Sequence, residues 1–162
     1  MKSRNRSSET GASEQVRLPN PKERPVLIVD GHTKDVTALT ATLRRLGVQN
    51  PLHCLPDGQQ AIDYLRGAAG YLDRLAYPLP SALFLDLKLP LVSGWEVLEW
   101  MARRKTKSDC IIIVCTEFTH LPVMQPIYGL GAHCIIKKPV EEIDLMNLIY
   151  HFPRPWRIAR KT

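Results

Sequence analysis

Five short apolar runs, separated by segments long enough to form helices, constrain the fold of this chain more than any other feature. They span residues 26–29, 52–55, 82–85, 111–114 and 135–136. A continuous apolar run of this length is typical of a parallel strand that is covered on both faces. Parallel neighbours need crossover connections, which helices usually provide. The pattern therefore predicts an α/β protein with a doubly wound, five-stranded parallel sheet and helices on both faces.

Helix signals lie in the segments between these runs. Thr33, Asp57 and Ser93 stand at helix starts, where side-chain oxygens can cap free backbone N–H groups. The fourth helix is predicted to be short, displaced or kinked, because Pro122 and Pro126 lie in it. An interior proline removes a hydrogen bond and clashes with the carbonyl four residues earlier.

The positive charge of the chain is concentrated at its ends. Residues 1–24 carry six Lys/Arg and three Glu, residues 25–152 carry twelve basic and thirteen acidic residues, and residues 153–162 carry four basic residues and no acid. We therefore expect a flexible basic leader (1–24), one folded domain (25–152) and a basic C-terminal tail (153–162). Basic ends can attract nucleic acid without reading its sequence, but solubilising tails are the favoured interpretation.

Membrane and secretory signals are absent from the sequence. No apolar stretch approaches the roughly 20 residues that cross a bilayer. The first 20 residues lack the apolar segment of a secretory signal. We therefore expect a cytoplasmic protein without membrane contact.

Polar side chains stand where four of the five predicted strands end: Asp30, Asp86, Thr116 and Lys138. In open α/β sheets ligands bind outside the carboxyl ends of the strands, so these side chains should meet in one crevice. A carboxylate that attacks a phosphoryl group needs cations to neutralise charge and position the group. Lys138 offers a compact positive charge, and Thr116 offers a hydroxyl donor. The pattern favours a phosphoryl-accepting site centred on Asp86.

Short motifs surround these residues: Val-Leu-Ile-Val-Asp at 26–30, Leu-Asp-Leu-Lys-Leu-Pro at 85–90, Ser-Gly-Trp-Glu-Val-Leu at 93–98, Val-Cys-Thr at 114–116, Gly-Ala at 131–132 and Lys-Pro at 138–139. Together they resemble the receiver domains of two-component response regulators over about residues 25–152. The resemblance implies a flavodoxin-like fold with strand order 2-1-3-4-5. It also implies that a histidine kinase or phosphotransfer protein phosphorylates Asp86, and that Thr116 and Lys138 sense and stabilise the phosphoryl group.

The resemblance further implies a Mg²⁺ cofactor held by Asp30, Asp86 and the backbone carbonyl of Lys88. Receivers usually have two adjacent acids after the first strand, whereas Gly31 follows Asp30 here and offers no ligand. Mg²⁺ requires near-octahedral oxygen coordination, so binding should be weak. Ile135 stands where the family usually has an aromatic switch residue, and it has no ring to rotate outward.

Lys88 and Glu117 carry opposite charges at the two positions that flank the pocket entrance in receivers. We predict that they can pair across the mouth of the acidic pocket and partly seal it. Two solvated side chains are the simpler interpretation, because surface pairs are worth about 0–1 kcal/mol. A rival interpretation has Glu117 supplying the missing carboxylate to the metal.

The leading functional hypothesis is a single-domain receiver in phosphorelay signalling, with an unknown downstream protein. Under this hypothesis we expect no enzymatic activity of the protein other than phosphorylation and dephosphorylation of its own Asp86. The alternative is a degenerate receiver that acts as a phosphorylation-independent interaction module, and a nucleic-acid-binding adaptor ranks third. The five histidines are assigned to structural or surface roles, since none adjoins a recognisable nucleophile. They are His32, His53, His120, His133 and His151.

Overall fold

The protein, seen here in a computed structural model, is described for residues 19–104 and 109–159. Its strands are β1 (Val26–Val29), β2 (Leu52–Leu55), β3 (Ala82–Asp86), β4 (Ile111–Thr116) and β5 (Cys134–Lys137). They form one parallel sheet in the order β2-β1-β3-β4-β5. The predicted α/β class and strand order are therefore confirmed.

Five α-helices connect or follow the strands within the described residues. They are α1 (Thr33–Arg45), α2 (Gly58–Arg66), α3 (Gly94–Arg103), α4 (Leu121–Gly129) and α5 (Glu142–His151). Single 3₁₀ turns span Pro21–Glu23 and Ala69–Tyr71. No described helix has both the length and the apolar character needed to cross a membrane.

Alternating residues of the central strands supply two separate apolar cores. Leu27 and Val29 of β1 join the cluster beneath α2, α3 and α4, whereas Val26 and Ile28 join the cluster beneath α1 and α5. Every residue of β1 and β3 is buried. This explains why these strands read as continuous apolar runs and do not alternate with polar residues.

Side-chain caps begin two of the helices as predicted. The Asp57 carboxylate accepts a hydrogen bond from Gln60 N at 2.8 Å, and Ser93 forms a reciprocal capping box with Glu96. Thr33 is not a cap, because it is the first helical residue of α1 and His32 occupies the capping position without a side-chain bond. The prediction was displaced by one residue, within the usual uncertainty of helix ends.

The proline-bearing helix α4 has nine residues, the same length as α2. Pro122 lies in its first turn, where a missing N–H costs nothing because that group has no helical partner. Pro126 lies inside the helix and leaves one backbone bond unmade. The two prolines therefore do not make α4 shorter than α2.

Ordered contacts continue beyond residues 25 and 152, the expected bounds of the folded domain. Arg24 is buried, and its guanidinium pairs with Asp109 at 2.6 Å. Trp156 is 1% exposed and packs against Phe84 of β3. The Asn50 amide donates to the Pro155 carbonyl at 2.8 Å, which anchors the tail beside the amino ends of the strands. The remaining predicted leader (1–18) and tail (160–162) lie outside the described residues.

Candidate phosphoryl-acceptor site

The carboxyl edge of the sheet brings together the four strand-end residues singled out in the sequence. Asp86 ends β3, Thr116 ends β4, Asp30 follows β1 and Lys138 follows β5. All four side chains are largely buried: the exposed fractions are 9% for Asp30, 5% for Asp86 and 10% for Lys138, and Thr116 is 2% exposed as a residue. Since the strands are parallel and in register, their ends meet in one crevice.

Lys138 holds the crevice together electrostatically. Its ammonium donates to Asp30 Oδ2 at 2.7 Å, to Asp86 Oδ2 at 3.1 Å and to Asp35 Oδ2 at 3.1 Å. Burial alone would lower the pKa of Lys138, but hydrogen bonds to these three carboxylates outweigh that effect and raise it. The lysine is therefore charged at neutral pH and is the cation shared by three acids.

The main chain around Asp86 is fixed by its contact with the start of α3. A side chain at position 94 would place its Cβ against the carbonyl oxygen of Asp86, so glycine is required there. Gly94 N also donates to Leu87 O at 3.1 Å, and Lys88 N donates to Asp86 Oδ1 at 3.1 Å. These contacts orient the Asp86 carboxylate toward Lys138.

Thr116 lies beside the acids at the end of β4. Its hydroxyl oxygen accepts a hydrogen bond from Phe118 N at 3.1 Å, while its carbonyl accepts from Lys138 N at 2.9 Å. The backbone of Lys138 is thus tied to the strand that carries Thr116. The Thr116 hydroxyl also carries one hydrogen that it can donate.

Two site residues, His32 and Asp35, were missed in the sequence. His32 Nδ1 lies 3.2 Å from Asp30 Oδ1 and 3.6 Å from Asp86 Oδ2. Asp35 reaches Lys138 from the first turn of α1. Their position in the sequence could have indicated both residues. Residues just after a strand end, and in the first turn of the next helix, lie at the ligand-binding edge of the sheet.

A divalent cation fits the donor atoms of this crevice. Asp30, His32 and Asp86 each offer one ligand atom, and these atoms lie within 4.8 Å of one another. Carboxylate oxygens are the ligands that Mg²⁺ prefers, and one or two of them usually suffice because Mg²⁺ keeps several waters. Gly31 contributes no side chain, which leaves Asp30 and Asp86 as the oxygen donors among these side chains.

Lys88, two residues after Asp86, forms an ion pair with Glu117, which directly follows Thr116. Lys88 Nζ is 3.2 Å from Glu117 Oε2 and 5.1 Å from the centre of the Phe118 ring. Both charged side chains are more than half exposed, so the pair is solvated on its outer side. Glu117 is not one of the side chains that form the potential metal cluster in the described residues.

Ile135 is half-buried in β5 and pairs with Val114 of β4. It packs against the core cluster beneath α2, α3 and α4. Its aliphatic side chain has no ring and no polar atom. The structure thus places a core aliphatic side chain at the predicted switch position.

A doubly wound sheet with a carboxylate and lysine site at its carboxyl edge agrees with the resemblance to receiver domains of two-component signalling. The family model of the response regulator receiver domain matches residues 26–150. The chain belongs to this family of receiver domains, which generally are not enzymes.

Individual relatives agree with this assignment. The chain is 28% identical over 131 residues to the probable methanogenesis regulatory protein FilR2 of Methanothrix harundinacea, covering 81% of this chain and 82% of that protein. It is 28% identical to the bacteriophytochrome response regulator RtBRR, with a TM-score of 0.73, covering 85% of this chain and 82% of that chain. The Mn²⁺-bound form of response regulator Rcp1 shares the fold at 22% identity, with a TM-score of 0.68, covering 86% and 99% of the two chains.

Proposed function

We propose that this receiver accepts a phosphoryl group on Asp86 from a phosphohistidine of a histidine kinase or phosphotransfer protein, as one step of a phosphorelay. The observation that carries the proposal is the position of the Lys138 ammonium, 3.1 Å from Asp86 and 2.7 Å from Asp30 in a largely buried crevice. A buried lysine between two acids supplies the fixed positive charge that phosphoryl transfer requires.

In the proposed reaction a carboxylate oxygen of Asp86 attacks phosphorus and forms the O–P bond of an acyl phosphate. The bond from phosphorus to the donor's imidazole nitrogen breaks, and its electron pair stays on that nitrogen. Lys138 then exchanges one carboxylate contact for a phosphoryl oxygen, and the Thr116 hydroxyl donates to another. A divalent cation held by Asp30 and Asp86, with the Lys88 carbonyl as a further proposed ligand, would neutralise charge on the phosphoryl oxygens.

The test is adduct formation with a small phosphodonor. The full chain is incubated with acetyl phosphate and Mg²⁺, and intact mass spectrometry is used to count phosphoryl groups. One adduct is expected on the wild type and none on Asp86→Asn, with Asp73→Asn as a control for an exposed aspartate outside the site. An adduct that persists in Asp86→Asn would assign the acceptor role to another residue.

A degenerate receiver remains the second candidate function, and two observations favour it. Gly31 offers no metal ligand, and the Lys88–Glu117 pair places a carboxylate at the entrance for an incoming phosphate. In that case the protein would bind its partner without phosphorylation. Absence of the adduct even at high Mg²⁺ would select this function, provided that the unphosphorylated protein is folded.

The Lys88–Glu117 pair gives a separate prediction about access to Asp86. If the pair partly seals the mouth, Glu117→Ala and Lys88→Ala should both accelerate adduct formation. Each increase should be no more than about fivefold, because an exposed pair is worth about 0–1 kcal/mol. The rate constant with acetyl phosphate is the measurement. Opposite effects of the two substitutions would show that charge, and not closure, controls access.

A further inference from the structure

Gly31 offers no side-chain ligand, but the imidazole of the next residue, His32, offers a ring nitrogen close to Asp30 and Asp86. His32 N donates to Asp30 Oδ1 at 2.8 Å, and this turn fixes the backbone just after β1. The imidazole Nδ1 then lies 3.2 Å from the same oxygen and 3.6 Å from Asp86 Oδ2. The ring is 62% exposed, so its position is set by this turn and not by burial.

The separations between these three atoms suit coordination of one metal ion. Adjacent ligands of an octahedral ion are separated by about 1.4 times the metal–ligand distance, or about 3.0 Å for ligands at about 2.1 Å. Nδ1 lies close to this separation from the Asp30 oxygen and slightly beyond it from the Asp86 oxygen. A shift of a few tenths of an ångström in the exposed imidazole would therefore bring Nδ1 to this separation from both oxygens, and all three ligand atoms lie within 4.8 Å of one another.

Lys138 leaves Asp30 open on the side that faces His32. At Asp86 its ammonium and the His32 ring approach the same oxygen, Oδ2, at 3.1 and 3.6 Å. Its ammonium bonds to Asp30 through Oδ2, whereas His32 approaches the other oxygen, Oδ1. The Asp30 oxygen that faces His32 is therefore not held by the lysine. An ion beside His32 and the Lys138 ammonium can contact Asp30 from opposite sides.

Asp35 supplies the crevice with a third carboxylate, although position 31 offers none. Asp30, Asp35 and Asp86 share the single positive charge of Lys138, since all three lie within 3.1 Å of its Nζ. With all three acids ionised the crevice carries two excess negative charges. One divalent cation neutralises these charges, so the electrostatic attraction for the ion is retained.

We infer that His32 Nδ1 is the third side-chain ligand of the divalent-cation site, in place of a carboxylate at position 31, and that it shifts the preference of the site from Mg²⁺ toward transition metals. This inference rests on the proposed function in that the same site serves Asp86. Imidazole suits transition metals, whereas Mg²⁺ favours oxygen ligands.

The experiment uses the full chain without an affinity tag and Mn²⁺ as the probe. Free Mn²⁺ is titrated by electron paramagnetic resonance, and pulsed measurements detect nitrogen bonded directly to the ion. Wild type is expected to show a nitrogen coupling, which His32→Ala should lose together with about tenfold or more of the Mn²⁺ affinity. His151→Ala is the matched control, since His151 is exposed at the end of α5 away from the site. It should leave both signals unchanged.

A second variant tests the shift in preference. His32→Asp replaces the nitrogen by an oxygen ligand, so the ratio of the Ni²⁺ to the Mg²⁺ association constant should fall by about tenfold or more, because imidazole suits Ni²⁺ and carboxylate suits Mg²⁺. An unchanged ratio, or a wild type that binds Mn²⁺ without nitrogen coupling, overturns the inference. Failure of wild type to bind Mn²⁺ at millimolar concentration overturns it as well.

Failure of the proposed function has a different signature. A nitrogen coupling that depends on His32, without a phosphoryl adduct on Asp86, supports the ligand and rejects the acceptor. An adduct on Asp86 with no nitrogen coupling supports the acceptor and rejects the ligand. The two results therefore separate the two conclusions.

Discussion

Replacing Gly31 by aspartate is expected to tighten Mg²⁺ binding by about tenfold or more, because it adds a carboxylate ligand to a site that already holds Asp30 and Asp86. A side chain at position 31 almost fits among its present neighbours. A Cβ at position 31 would lie 3.3 Å from Pro56 O and 3.4 Å from Pro90 Cδ, so these neighbours would have to give only slightly. Isothermal titration calorimetry with Mg²⁺ measures the affinity of each variant.

Gly31→Asn is the matched control, because asparagine has nearly the same shape as aspartate but no charge. It should gain much less affinity than Gly31→Asp. Without metal, the new carboxylate adds repulsion to Asp30 and Asp86, so Gly31→Asp should have a lower free energy of unfolding than Gly31→Asn. Saturating Mg²⁺ should reverse this order. Equal Mg²⁺ affinities of the two variants would contradict a direct ligand role at this position.

Lys138→Met should lower the free energy of unfolding by about 3 kcal/mol at pH 7.5 in the absence of metal. Methionine keeps much of the length and apolar surface of lysine but removes the charge that Asp30 and Asp86 share. Losing one partner of a buried ion pair typically costs about 3–5 kcal/mol, since the other charge is left uncompensated. Urea denaturation followed by circular dichroism is the measurement.

A double-mutant cycle isolates the electrostatic part of this effect. In Lys138→Met/Asp86→Asn one of the uncompensated carboxylates is gone, so the double variant should be more stable than Lys138→Met alone. Asp35→Asn should change stability by no more than about 1 kcal/mol, because Asp35 is about half exposed. A loss below about 1 kcal/mol for Lys138→Met would mean that solvent, and not the lysine, stabilises these acids.

The sheet and the centre of the site could be predicted because their signals are local and periodic. Apolar runs covered on both faces identify β1 and β3 directly. Parallel strands place their carboxyl ends together, so Asp30, Asp86 and Lys138 could be expected to meet although they are far apart in sequence. The helix caps Asp57 and Ser93 were predictable for the same reason, since each contacts a backbone N–H three residues later.

Other features could not be predicted because they depend on contacts between distant segments. Arg24 lies in a polar, proline-flanked stretch, and its burial requires Asp109 and the carbonyl of Pro80. Trp156 lies among arginines, and its burial requires the space beside Phe84. His32 lies two residues after Asp30, but position alone does not show whether its ring turns toward the acids; that follows from the distance between the ring and Asp86.

The anchoring of the tail at Pro155 has a practical consequence for measuring partner binding. The Asn50 amide and the Ser81 hydroxyl hold the Pro155 carbonyl beside the amino ends of the strands, at the edge of the sheet opposite Asp86. A biotin or fluorophore attached beyond Ala159 would therefore leave the crevice facing away from the attachment point. Immobilisation through this end would therefore keep the sensor surface away from the crevice during measurements of partner binding.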